Sequence, residues 1–127
     1  MATRAVTTIL AKKNMLLARA GEQPLPRITA MAFGVRGINE DGKVVEPDER
    51  QNELLHEVLR KDIDGYEVVN DTKISYNCTL EENELAGERI SEIALVDENG
   101  DLVAIKNFTA KGKDEDWKMI FTINDTM

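Results

Sequence analysis

Between Ile90 and Phe108 two strand-like runs flank Glu98-Asn99-Gly100-Asp101, and this stretch limits what the chain can fold into more than any other. The runs Ile90–Val96 and Leu102–Phe108 are rich in the β-branched and apolar residues that suit a pleated surface. Asn99-Gly100 between them offers the positive φ angles of a two-residue type I′ turn. A β-hairpin is therefore expected here from local preference alone.

A chain of 127 residues reads as one domain, residues 1–127, long enough to bury a self-sufficient core. Its 24 acidic and 16 basic residues give a net charge of −8 and show no basic patch, so no nucleic-acid partner is expected. The single cysteine, Cys78, excludes an intrachain disulfide and a cysteine-based zinc site. It shares an alternating face with Ile74, Tyr76 and Leu80, which suits a buried, inert thiol. No apolar leader follows Met1, and the longest apolar runs fall far short of a bilayer span. A soluble chain without a secretion signal or a membrane partner is expected.

The first element is expected to be a helix from about Ala5 to Ala20. Val6, Ile9, Leu10, Leu17 and Ala20 fit one stripe, with Lys12, Lys13 and Arg19 off it. Gly21 is placed to end it as the residue after the C-cap, and Pro24 and Pro26 prevent continuation. So narrow a stripe needs a surface to dock on, which makes residues 1–21 a candidate docking or assembly arm and residues 27–127 the body. Val6, Ile9, Leu10 and Leu17 are its candidate interaction residues.

Arg27–Phe33 reads as a strand ending at Gly34. A loop from Gly37 to Pro47 follows, with a short hairpin at Asp41-Gly42. Asp48 and Gln51 form the pattern of a capping box, so a short second helix is expected from Glu49 to near Arg60, burying Leu54, Leu55, Val58 and Leu59. Ile63 and Tyr66–Val69 look extended, and Lys73–Leu80 alternates cleanly. Glu81–Gly87 is an acidic loop and Lys111–Asp116 a charged one. In the last strand Trp117, Met119, Phe121 and Ile123 share a face, with Ile120 the exception on the other. The expected class is α+β: an N-terminal helix and one short helix, with a mainly antiparallel β-meander in the C-terminal half.

Chemistry is sparse. His56 is the only histidine, beside Glu53 and Glu57, with no nucleophile at a fixed spacing. A small hydrolase or ligand-binding domain would need His56 set against Glu92 or Asp97 in a pocket. Asp97-Glu98-Asn99-Gly100-Asp101 begins like a calcium loop, but its glycine is fourth and its twelfth residue is Phe108, so the hairpin reading wins. Glu81-Glu82-Asn83-Glu84 is a solvated loop with at most a weak divalent-cation contact. No glycine spacing suits a phosphate loop, and no cofactor is expected. The Asn-x-Thr triplets at Asn70, Asn77, Asn107 and Asn124 carry no meaning without a secretory signal.

Three ordered segments resemble the N-terminal domain of tail fibres (tail-collar fibre proteins) of contractile-tailed bacteriophages and prophages. Ile28-Thr29-Ala30-Met31-Ala32-Phe33-Gly34 is similar to the family's Ile-Thr-x-Met-Ala-hydrophobic-Gly strand. Pro47, Gln51, Leu54, Leu55 and His56-Glu57-Val58 match its Pro-x-x-x-Gln-x-x-Leu-hydrophobic-His-Glu-Val. Glu92-Ile93-Ala94-Leu95-Val96-Asp97 and Gly100-Asp101-Leu102-Val103-Ala104 resemble its Glu-hydrophobic-Gly-Leu-hydrophobic-Asp, turn, Gly-x-Leu-hydrophobic-Ala. Ala94 stands where the family has glycine and Ser91 where arginine is common. The resemblance implies a non-enzymatic virion component that attaches a fibre to the baseplate or collar. It also implies a homo-oligomer, a trimer in such fibres, held in the virion tail and made in the bacterial cytoplasm. A tail-fibre assembly factor is the alternative. The family's fibres continue into a shaft and a receptor-binding tip, which the residues up to Met127 do not supply.

Overall fold

A computed structural model describes residues 4–127. The body is two antiparallel sheets. In chain order the elements are β1 (Val6–Thr7), α1 (Ile9–Arg19), β2 (Ile28–Gly34), β3 (Glu57–Asp62), β4 (Gly65–Asn70), β5 (Lys73–Leu80), β6 (Arg89–Asp97), β7 (Leu102–Gly112) and β8 (Met119–Thr126). The larger sheet has the order β1-β7-β6-β2-β3 and the smaller β4-β5-β8. The corner between them is tight. Ile63 still donates its N–H to Thr29 O of the large sheet at 3.1 Å, and Asp64 already donates to Asn77 O of the small one at 2.8 Å.

The main core lies between the sheets. Met31 and Phe33 from β2 and Ile93 and Leu95 from β6 meet Cys78 and Leu80 from β5 and Phe121 and Ile123 from β8. Phe121 stands edge-on to Phe33, with centroids 5.3 Å apart, and touches Phe108 at 6.0 Å. The opposite face of the large sheet is buried too, by Ala30, Ala32, Ala94, Val96, Leu102, Ile105 and, from the long β2–β3 connection, Leu54. Covered on both faces, β6 is buried at every position from Ile90 to Asp97, which is why its sequence shows little polar alternation. Ala94 pairs with Ala32, and these small side chains let the covering segment approach the sheet.

Several sequence expectations are corrected. Among the described residues the fold is mainly β with one helix, not α+β with two. Residues 5–7 do not begin the helix: Val6 and Thr7 extend along β7, and α1 starts after Thr8. The expected second helix is absent. Its capping pattern does form, since Asp48 N–H donates to Gln51 Oε1 at 2.8 Å and Arg50 N–H to Asp48 Oδ1 at 2.9 Å. No helix propagates from that turn, because the N–H groups of Leu55 and His56 go to Glu92 and Glu57–Asp62 pairs with β2.

The β6–β7 hairpin forms as expected, with a different turn. Gly100 has φ +85°, while Asn99 is not in the left-handed region, so type I′ is excluded. Gly100 N–H donates to Asp97 O, and Asp97 N–H to Asp101 O, both at 2.9 Å. This is the three-residue hairpin in which a glycine at positive φ closes a bulge. Trp117 falls in the turn before β8 and is 59% exposed, rather than joining Phe121 and Ile123 inside.

Candidate docking surface

The strongest polar feature of the molecule is a clamp, and it is internal. Glu92 is fully buried, and its carboxylate accepts N–H from Leu55 at 2.8 Å, His56 at 2.8 Å and Arg36 at 3.0 Å. One side chain thus ties both ends of the long β2–β3 connection. Ser91 Oγ accepts from Gly37 N–H at 2.8 Å, and Asn107 Nδ2 donates to Val45 O at 2.7 Å, fixing its middle. Gly37 is needed for close approach, because a Cβ there would run into the Ser91 carbonyl.

The pairing that a catalytic rival would need, the His56 ring set against Glu92 or Asp97, does not form. Glu92 does meet His56, but through the His56 main chain, while the imidazole points away as an exposed side chain. Asp97 Oδ1 accepts from Asn99 and Asp101 N–H at 2.9 and 3.1 Å and so shapes the turn. Burial pushes the Cys78 thiol up to about 11, against catalytic use. The acidic loop is clipped rather than open: Lys61 Nζ lies 2.6 Å from Glu84 Oε1, and that ammonium holds the Glu84 carboxyl below its ordinary value. Among the described residues no group of three or more His, Cys, Asp or Glu side chains is arranged to hold a metal ion.

Exposed apolar surface occurs on α1 and just after it, at Leu16 and Leu25. Thr8 caps the helix: its Oγ1 accepts from Ala11 N–H at 3.2 Å and donates to Leu102 O at 2.7 Å, tying the helix start to β7. Gly21 closes the other end as expected, with Gly21 N–H on Ala18 O and Glu22 N–H on Leu17 O, the paired bonds of a Schellman motif. Between these ends only Ala11 is buried. Val6 belongs to β1 opposite Ile105, while Ile9, Leu10 and Leu17 sit half-buried on the helix. On α1 the apolar residue left most open is Leu16, at 62% exposure, which the expected stripe does not include. Its signal was spacing: Lys12, Lys13 and Arg19 stand three or four residues away, on the same exposed face.

Beside α1 lies a groove of about 670 Å³, within the size range of concave binding sites. Met15, Leu25 and Ile28 form one side, and Ile74, Tyr76 and Asp125 of the small sheet the other. Asp125 is half-buried there, and the loss of water pushes its carboxyl up from the ordinary range. Burial also raises the Tyr76 phenol, helped by Asp125 and Tyr66. Register places Tyr66 and Val68 of the edge strand β4 on the same face as Tyr76 and Ile74, beyond the core and 65% and 64% exposed. The small sheet therefore overhangs the body with an apolar edge.

Among the described residues no helix is long and apolar enough to cross a membrane. No curated protein and no solved structure gives a match to this chain. The family model described as Phage tail-collar fibre protein, N-terminal, matches residues 1–120, and the chain belongs to that family, a structural part of the phage tail fibre.

Proposed function

We propose that this domain anchors a tail fibre to the baseplate as a homo-oligomer without catalysing a reaction. Residues 1–21 act as the docking arm, and residues 27–127 form the body of a single folding unit. The observation that carries the reading is the state of α1: an 11-residue helix, capped at both ends, with one buried residue. So short a helix is marginal alone, and a helix tethered at its start with its apolar side chains half open gains most of its stability from packing. Ile9, Leu10 and Leu17, with Val6 at the strand that leads into the helix, line the arm that a neighbour covers. A trimer is the state that the family's fibres imply. The chain is made and assembled in the bacterial cytoplasm and stays in the tail.

Mass spectrometry of purified particles tests this reading. The chain is expected among the virion proteins at a fixed ratio to the baseplate. Its presence during assembly and absence from finished particles would make it an assembly factor instead.

A further inference from the structure

The self-association proposed above leaves open which surfaces meet, and the distribution of charge selects a pair. Up to Gly21 the only charged side chains are Arg4, Lys12, Lys13 and Arg19, so all 24 acidic residues lie from Glu22 onward. The arm is a basic, apolar segment on an acidic body. Lys12 reaches Glu49 at 3.4 Å, but among the described residues Lys13 and Arg19 have no ion-pair partner. With Leu16 they make one exposed ridge at three-residue spacing.

The groove supplies the complement. Asp97, Glu98 and Asp125 line it, against Arg27 as its one basic residue. Asp97 and Glu98 already accept main-chain N–H groups, from Asn99 and Asp101 and from Arg27. Asp125 has neither an ion-pair nor a hydrogen-bond partner among the side chains of the described residues. A half-buried carboxylate in an apolar groove is stabilised by an incoming cation more than an exposed one is, because less water screens the pair. The two surfaces cannot meet within one chain. Ala11, Asn14 and Met15 of α1 line the chain's own groove, and the Lys13-Leu16-Arg19 ridge lies on the opposite side of the same helix.

We infer that the Lys13-Leu16-Arg19 ridge of one copy docks into the groove of a second copy, with Leu16 between Met15, Ile74 and Tyr76 and a ridge cation on Asp125. The contact is head-to-tail: each copy offers a ridge to one neighbour and a groove to the other, and such contacts close into a ring when the rotation permits. Opposite charge on the two surfaces sets their register and makes the association depend on salt.

Light scattering on the full chain tests the assignment, with circular dichroism to confirm that each variant keeps its β-sheet. The wild type is expected to associate and to weaken as salt is raised. Lys13→Glu with Arg19→Glu, and separately Asp125→Lys, should each weaken association by about tenfold or more, the range of an interfacial charge reversal. All three substitutions in one chain should restore it, because the charges then match again with opposite signs. A triple variant as weak as its parents overturns the inference. An oligomer indifferent to all the variants also overturns it but leaves self-association standing. A wild type that stays monomeric defeats both, and a groove filled by a different tail protein would then be the remaining occupant.

Discussion

The β6–β7 hairpin and α1 are neighbours joined through Thr8, and they divide the molecule's chemistry in opposite ways. In the hairpin several polar residues face inward, and Ser91, Glu92 and Asn107 spend their hydrogen bonds on the β2–β3 connection. On the helix the apolar residues are left partly outside, with only Ala11 buried. Buried carboxylates in a small domain invite a catalytic reading, yet Glu92 is saturated by main-chain donors and closes a loop. In this tail-fibre domain the buried polar side chains serve the fold, and the exposed apolar ones are those the proposed assembly would use.

The largest effect should come from emptying the clamp. Glu92→Ala leaves three N–H groups without an acceptor, and each buried unpaired donor costs about 1–3 kcal/mol, so a loss of about 5 kcal/mol is expected in urea unfolding. Glu92→Gln keeps one oxygen and should lose less. If neither variant lowers the unfolding midpoint, the clamp does not hold the fold. Phe121→Ala removes the ring shared by Phe33 and Phe108 and should cost about 4 kcal/mol by the same measurement. Thr8→Ala, at the joint between the regions, should cost about 1 kcal/mol, seen as lost helical dichroism before the sheets melt.

On the arm the pattern reverses. Leu10→Asp with Leu17→Asp should impair oligomerisation and incorporation into particles while the β-sheet spectrum stays unchanged. An unchanged oligomer by light scattering would remove the Leu10–Leu17 face of α1 from assembly and leave the ridge as its only contact. Asp125→Asn should have the smallest effect on stability, and its sign depends on pH. A carboxyl raised in the folded state binds its proton more tightly there than when unfolded. Its contribution is therefore favourable below the usual carboxylate range and is lost as pH rises through the raised value. At neutral pH Asp125→Asn should slightly raise the melting temperature of the dissociated chain, and in acid the difference should vanish.

The two regions also differ in how far the sequence revealed them. The hairpin was legible because both its strands and its glycine act locally, and β2 and β5 were readable from their runs for the same reason. The turn type was not legible, because Asn99-Gly100 permits type I′ without requiring it. The second helix failed more instructively. Asp48 and Gln51 make the bonds of a helix start, but Glu92, which lies 36 residues beyond His56, takes the amides that the next turn would need. No local pattern contains that competition, and Leu54, Leu55, Val58 and Leu59 fit either outcome. Of the proposed docking surface, the helix was legible and the groove was not. The helix showed in its apolar stripe, whereas Leu16 lies on the other side of it, among cations that mask an exposed apolar residue. Overall net charge also averaged four arm cations into an acidic total.

Amide hydrogen exchange, followed by mass spectrometry on the free chain and on the chain in tail particles, tests the contrast most directly. Amides of α1 should exchange far faster than those of β6 and β7 in the free chain and become protected in the particle, while the hairpin stays protected in both. Equal protection of α1 and the hairpin in the free chain, or an α1 that exchanges as fast in the particle as outside it, would contradict the account.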